Sequence, residues 1–341
     1  MNRTGRSAAP VSPPRTGRWR LGVPETGVSI VIPTHERQDS LMRLLDSLER
    51  SHEAAVNEIE VVVVVDGSTD ASSDAVRSRP VAPFAVELVE QPNAGLAAAR
   101  NAGAARARAP WLWYLDDDME VGPAAVAAHT LPLGPRVMRM GPAVPAPELD
   151  AVAARYYRAR HARLAGAGRV TNPFDFSGAN TSMSADLFAT LGGYDERFRR
   201  YGAEDYELAQ RALESGVDIC FEPQAGACHH GVKSTAARLA DKRSSWINRS
   251  LLMDMHPDLA TRVVADLERT RHRRLLQRIG RRSTGILDGY GRLAAVASMR
   301  LGHRVPGGGR LERVAIDASQ VAGFLEGQRR RGAGSVEETD G

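Results

Sequence analysis

The run Ile59-Glu60-Val61-Val62-Val63-Val64-Val65 carries six β-branched apolar residues in seven positions and stops at Asp66-Gly67-Ser68-Thr69-Asp70. A run without alternation has no solvent face, so both of its faces need cover, as in a central strand of a parallel sheet. Neighbouring segments supply the partners and the crossovers. Val28–Ile32 reads as a strand stopped by Pro33, Phe84–Val89 as a third strand and Trp111–Leu115 as a fourth. Leu41, Leu44, Leu45 and Leu48 share one helical face, with Asp39 or Ser40 placed to cap it, and Leu96–Arg108 is an Ala-rich helix. Four such β-α units predict an open nucleotide-binding type of α/β sheet, with ligands at the carboxyl ends of its strands.

Downstream, Glu148–Leu164 and Glu204–Ser215 read as helices, the second ended by Gly216, and Val217–Phe221 as a strand. Beyond about residue 256 only helical patterns remain, the last with a stripe at Leu311, Val314, Ala318, Val321 and Leu325. An apolar fraction of 43% and a charged fraction of 25% exclude a collagen, a disordered tail protein and a disulfide miniature. The net charge of +4 conceals three parts: +4 over residues 1–27, −7 over 28–261 and +7 over 262–341, where sixteen Arg face nine acids. No apolar run reaches the roughly 18 residues needed to cross a bilayer, and no apolar stretch follows the basic start as in a secretory signal. Cys220 and Cys228 lack a CxxC partner pair, so the His229-His230 that follows Cys228 does not make a zinc motif. These features predict a cytoplasmic protein of a reducing compartment.

Two acidic turns follow buried strands, Asp66–Asp70 and Asp116-Asp117-Asp118. In a parallel sheet both lie at one edge. Asp66-Gly67-Ser68-Thr69-Asp70 alone is equally a tight turn with a helix cap. Three consecutive Asp straight after Trp111–Leu115 are harder to read as a solvated turn, because the strand is buried. Stacked carboxylates call for a hard cation shared with substrate phosphates. No GxGxxG or GxxxxGK[ST] loop stands at the first β-α turn, which disfavours hydride transfer and P-loop chemistry.

Val28-Ser-Ile-Val-Ile-Pro-Thr-His-Glu-Arg37, Val64-Val65-Asp66-Gly67-Ser68-Thr69-Asp70, Asn93-Ala-Gly95 with Ala99-Arg100-Asn101-Ala-Gly103, and Leu115-Asp116-Asp117-Asp118 form an ordered set. Gly178-Ala179-Asn180, Leu191-Gly-Gly-Tyr-Asp-Glu-Arg-Phe198, Glu204-Asp205, and Pro223 six residues before His229 continue it. Together they resemble the motifs of family 2 glycosyltransferases with the GT-A fold, over about residues 28–235. The resemblance implies a GT-A type, Rossmann-like nucleotide-binding sheet with a C-terminal helical extension. Its parts would be a disordered basic leader (1–27), the glycosyltransferase domain (28–255; nucleotide-sugar binding over 28–120, acceptor side over 121–255), a basic helical extension (256–328) and a disordered tail (329–341).

By the same resemblance, Thr34, Glu36, Asp66, Arg100, Asp116 and Asp117 bind the donor. Asp118 and His229 bind Mn2+ or Mg2+, with His230 the alternative to His229. Asp205 is the general base, and Gly178, Asn180 and Glu204 face the acceptor. Two positions depart from the pattern: Val65 stands where many relatives carry another acid, and Glu36 where Asn is common. The implied reaction is an inverting, single transfer of a sugar from a nucleoside diphosphate, UDP being the expected one, to a carbohydrate, glycolipid or small-molecule hydroxyl. A metal would stabilise the leaving charge, and a base would activate the acceptor. Asp205, in the first turn of a helix, is favoured in its ionised form by the macrodipole, although acids are common there without any catalytic duty.

The basic stretch within 262–304, with seven Arg between Arg269 and Arg282 around Leu275, Leu276 and Ile279, suits peripheral contact with an anionic membrane, an acidic partner or a solvated helix face. Two other functions compete: a catalytically silent sugar-nucleotide binder, and a basic nucleic-acid-binding protein. Intact acidic and His positions count against the first. The acidic body and 5% aromatic content count against the second, so no nucleic-acid partner is expected.

Overall fold

The valine run forms the strand that its composition demands, with every residue from Glu60 to Asp66 buried. The computed structural model describes residues 27–80, 82–147, 151–231, 234–268, 271–301 and 308–337, so the expected leader lies, Gly27 apart, outside the described residues. In chain order the strands are β1 (Val28–Thr34), β2 (Ile59–Asp66), β3 (Ala85–Gln91), β4 (Trp111–Leu115), β5 (Met119–Glu120), β6 (Val137–Met140), β7 (Ala143–Pro145), β8 (Asn180–Ser184), β9 (Asp218–Phe221) and β10 (Ala227–His229). The first helices are α1 (Gln38–Ser51), α2 (Ser72–Arg77), α3 (Leu96–Arg106), α4 (Pro123–Thr130), α5 (Ala151–Ala167), α6 (Ala185–Thr190) and α7 (Glu204–Glu214). They are followed by α8 (Thr235–Met255), α9 (Ala260–Leu267), α10 (Arg271–Arg282), α11 (Thr284–Leu301) and α12 (Gly308–Glu337).

Seven strands make one sheet in the order β3-β2-β1-β4-β8-β6-β9, and β5-β10-β7 make a second. In the large sheet β8 runs antiparallel to β4 and β6, while the remaining pairs are parallel. Val61, Val63 and Val65 pack in one cluster with the α1 leucines, whereas Val62 and Val64 pack against Ala99 of α3. Both faces of β2 are therefore covered, at roughly 1.5–3 kcal/mol per large apolar side chain removed from water.

The chain divides into two units. The first carries both sheets, with Ala153–Glu196 and Leu208–His230; the second carries Arg197–Glu207 and the helices from Gly231 onward. In the second unit α8, α10 and α11 pack on α12. Trp246 meets Phe324 edge-on at 6.2 Å. Gly323 lies so close to the Arg243 carbonyl that a Cβ would collide with it, so only glycine lets the two helices approach this far.

Several expectations are corrected. Pro33 does not stop β1: pairing with β4 ends at Val31, but pairing with β2 continues to Thr34. With one side of the strand open beyond Val31, a residue lacking an N–H is tolerated as on an edge. Helix α1 starts at Gln38, ahead of Asp39 and Ser40, and its first N–H donates to Asp70 Oδ2 at 3.0 Å. The cap thus comes from the β2–α2 turn, a tertiary contact. Residues 329–337, expected to be disordered, continue α12. The second unit takes in α8 with the later helices, together with Arg197–Glu207 from earlier in the chain.

Candidate active site

At the carboxyl edge of β1, β2 and β4 three turns meet, because Thr34 pairs with Val65 and Val31 with Tyr114. Beyond Leu115 the acidic triplet turns back, with the Asp116 N–H donating to the Ala179 carbonyl at 3.0 Å and the Met119 N–H to the Asp116 carbonyl at 3.2 Å. Thr34 Oγ1 donates to Asp117 Oδ2 at 2.8 Å. Arg37 Nη1 donates to both Asp117 Oδ1 (3.0 Å) and Asp118 Oδ2 (2.9 Å). Asp117 and Asp118 are 4% and 7% exposed. Burial pushes the Asp117 carboxyl up to about 7, with the Arg37 charge opposing it. Burial alone would weaken the protonation of Arg37; the Asp117 and Asp118 charges outweigh it and raise its pKa further.

The second oxygen of Asp118 looks elsewhere. Strand β10 pairs antiparallel with β5, setting His229 opposite Met119, and the His230 N–H donates to the Asp118 carbonyl at 2.9 Å. His229 Nε2 thereby stands 3.4 Å from Asp118 Oδ1. Its Nδ1 is buried with no hydrogen-bond partner among the described residues, and its ring meets Tyr157 edge-on at 5.6 Å. A carboxylate oxygen and an imidazole nitrogen facing each other at this separation, longer than a good hydrogen bond, fit a divalent ion of the Mn2+ or Mg2+ type. His230 faces Glu120 instead, with Nε2 2.8 Å from Oε2.

The other expected donor residues are present at this edge, several of them engaged in building it. Arg100 is 1% exposed; its Nη2 donates to Asp116 Oδ1 at 2.8 Å and its guanidinium lies 5.0 Å over the Tyr194 ring. Asp66 accepts from Gln91 Nε2, the Ala94 N–H and the Gly95 N–H at 2.8, 2.8 and 2.9 Å. One acid is therefore enough to order the β3–α3 loop, whatever precedes it at position 65. Gly67 adopts φ +70°, and a Cβ there would stand 2.5 Å from the Asn93 nitrogen, so this turn requires glycine. Glu36, itself at φ +54°, accepts from the Thr69 N–H (2.6 Å) and Thr69 Oγ1 (2.8 Å). The Thr69 N–H holds its carboxyl below the ordinary range. Glu36 thus braces the β2–α2 turn.

On the expected acceptor side, Gly178 is buried in the turn before β8. Asn180 is buried, its Oδ1 accepting from Trp113 Nε1 (2.9 Å) and its Nδ2 donating to the Ala225 carbonyl (2.8 Å). Both ends of the amide are used in joining β4 and β8 to the segment that leads to β10. In the second unit, Glu204 and Asp205 open α7, Glu204 being buried. Gly202 (φ +91°) and Ala203 (φ +79°) precede them, a left-handed pair of which the Ala costs about 1–3 kcal/mol. Asn248 Nδ2 restrains this bend by donating to the Arg200 and Gly202 carbonyls at 2.8 and 2.6 Å. Neither Asn248 nor Arg37 is singled out by sequence reasoning. Arg37 had a signal, an Arg just past a strand end beside a second strand ending in three acids; Asn248, inside a long helix, had none.

A family model for "Glycosyl transferase family 2" matches residues 29–130, which hold Thr34, Arg37, Asp66 and the acidic triplet. The chain belongs to glycosyl transferase family 2. A second model, "N-terminal domain of galactosyltransferase", matches residues 168–232, which hold Asn180, Glu204-Asp205 and His229. Among curated proteins, validoxylamine A glucosyltransferase of Streptomyces hygroscopicus subsp. jinggangensis is 31% identical over 265 residues, 68% of this chain and 61% of that protein. O-antigen biosynthesis protein RfbC of Myxococcus xanthus is 28% identical over 279 residues, 73% of this chain and 21% of that protein. The chain therefore spans less than two thirds of the length of these relatives. Among solved structures, the mannosyltransferase PcManGT from Pyrobaculum calidifontis, in complex with GDP-Man and Mn2+, aligns with a TM-score of 0.58 at 18% identity, covering 90% of this chain and 88% of that one. The family member described here accordingly has the GT-A fold.

Proposed function

We propose that this chain transfers a glycosyl group from a nucleoside-diphosphate sugar to an acceptor hydroxyl, in one inverting displacement and one addition at a time. The observation that carries the proposal is the meeting of Thr34, Arg37, Asp117, Asp118 and His229 at the carboxyl edge of the sheet. Asp118 and His229 are the residues that would hold Mn2+ or Mg2+, which as a Lewis acid offsets charge on a departing diphosphate. Asp66 and Arg100 act by shaping the nucleotide-binding edge: the first orders Ala94 and Gly95, and the second holds Asp116 in place. Thr34 positions Asp117. Asp205 takes the acceptor proton; its place in the first turn of α7 favours the carboxylate needed for that task. UDP is the nucleotide assigned to the donor. Gly178 stands on the acceptor side, for a carbohydrate, glycolipid or small-molecule acceptor.

Peripheral contact with an anionic membrane is assigned to α10 and α11. No helix among the described residues is long and apolar enough to cross a membrane. Ile286, Tyr290 and Leu293 repeat at i, i+4 and i+7 on α11 and are exposed, as are Arg274, Leu275, Arg278 and Arg281 on α10. The His272 and Tyr290 rings, 6.4 Å apart, place the two helices side by side. An apolar stripe beside a basic one is the pattern of an interfacial helix pair.

The test is thermal denaturation against a panel of UDP-, GDP- and dTDP-sugars with and without MnCl2, followed by assay of released nucleoside diphosphate. Stabilisation by one nucleotide class, greater with Mn2+, and release of its diphosphate are expected. No stabilisation and no release across the panel refutes the proposal.

A further inference from the structure

We propose that Arg37 is an oxyanion-binding residue of this site, presenting a fixed guanidinium edge to the diphosphate of the nucleotide; the inference rests on the donor reading above. Among the described residues, only Nη1 of Arg37 is engaged, and it bonds two carboxylates at once, Asp117 Oδ1 and Asp118 Oδ2. Nε and Nη2, which carry the remaining three N–H donors, have no partner among the described residues, and the side chain is 36% exposed. A surface Arg with that much freedom is ordinarily mobile. Here two nearly buried carboxylates hold one corner of the fork, so the opposite edge is aimed before any ligand arrives.

The geometry separates two duties on Asp118. Oδ2 takes Arg37, while Oδ1 faces His229 Nε2 at 3.4 Å. The arginine and the residues suited to a metal therefore do not compete for the same oxygen. A nucleotide carrying two adjacent phosphoryl groups would meet positive charge from Arg37 on one side of Asp118 and metal-binding groups on the other. The backbone on either side of the arginine is also tied down. The Glu36 N–H donates to Ser68 Oγ at 2.9 Å and the Gln38 N–H to Asp70 Oδ2 at 3.0 Å, so the β2–α2 turn anchors the residues flanking Arg37. No Gly-rich phosphate loop is present at this β-α turn, and a preset guanidinium supplies the phosphate recognition that such a loop would otherwise give.

Calorimetric titration of UDP, GDP, uridine and guanosine into the wild type, Arg37→Ala and Arg37→Lys, each in EDTA and in MnCl2, tests the assignment. Charge-assisted bonds to phosphate predict that Arg37→Ala weakens the preferred diphosphate about 10- to 100-fold in both media while leaving its nucleoside within about twofold. Arg37→Lys keeps a charge beside Asp117 and Asp118 and serves as the variant that folds. One ammonium cannot reach the carboxylate pair and the phosphates in the same way, so it too binds the diphosphate more weakly than the wild type. Equal losses for diphosphate and nucleoside, or diphosphate affinity unchanged in both variants, overturn the assignment and leave the donor reading standing. A wild type that binds neither UDP nor GDP overturns the donor reading, and this assignment with it.

Discussion

Acid should unfold this protein partly through one buried histidine, His129. Its ring stacks on Trp113 with centroids 4.5 Å apart and lies wholly inside the first unit. Nε2 stands 3.2 Å from the Ala225 carbonyl, an acceptor only, so Nε2 carries the proton; Nδ1 then accepts from Ser182 Oγ at 2.9 Å. Burial, with the Arg139 charge beside it, lowers the pKa from an ordinary 6.5 to about 3. The folded state thus binds fewer protons than the unfolded state between those values. Stability is complete above pH 6.5 and is lost as the pH falls toward 3. Lowering the pH from 7 to 5 should cost about 2 kcal/mol from this residue alone, taking 1.36 kcal/mol per pKa unit. His129→Phe keeps the stack but cannot titrate. It should be about 1–3 kcal/mol less stable at pH 7, for the bonds lost by Ser182 and Ala225, yet lose about 2 kcal/mol less than the wild type on going to pH 5. Urea unfolding followed by tryptophan fluorescence at both pH values measures this double difference, in which the other titrating groups cancel. Equal acid sensitivity of the two proteins would falsify the argument.

Asp118→Ala should abolish Mn2+-dependent gain in affinity for nucleoside diphosphate, read by calorimetry; an unchanged titration removes it from the metal shell. Asp205→Asn should lower the turnover number about 10²- to 10⁴-fold while leaving nucleotide affinity intact, and near-normal turnover excludes it as the base. Asn248→Ala releases the Gly202–Ala203 bend and should lower turnover with little change in nucleotide affinity; a loss confined to nucleotide binding contradicts its positioning role. Leu293→Asp should reduce sedimentation with vesicles containing anionic lipid but leave turnover on a water-soluble acceptor unchanged, and retention on the vesicles refutes the membrane assignment.

β1 to β4 and β9 are legible because each is a short apolar run bounded by turn residues, whereas β5 to β8 and β10, among them the polar Asn180–Ser184, carry no such local pattern. The acidic turns are legible for the same reason: Asp66 and Asp116–Asp118 directly follow those runs, and parallel strands deliver them to one edge. Side-chain partners are another matter. Glu36 and Asn180 share the motifs of ligand-binding residues, yet Glu36 is bonded to Thr69 and Asn180 to Trp113 and Ala225. Asp70 caps α1 from a separate turn, which no window around Gln38 contains.

By itself, then, the sequence determined the four parallel strands β1 to β4, their acidic edge, the family and the helical C-terminal part, since these depend on hydrophobic period, turn chemistry and short ordered motifs. Only the tertiary structure decided that Arg37 joins Asp117 to Asp118, that Oδ1 of Asp118 faces His229, and that Asn248 braces the bend before Asp205. The reason is physical. A strand or helix is specified by neighbours along the chain, whereas a carboxylate chooses among all donors that folding brings within about 3 Å, and those donors come from segments that are far apart in the sequence.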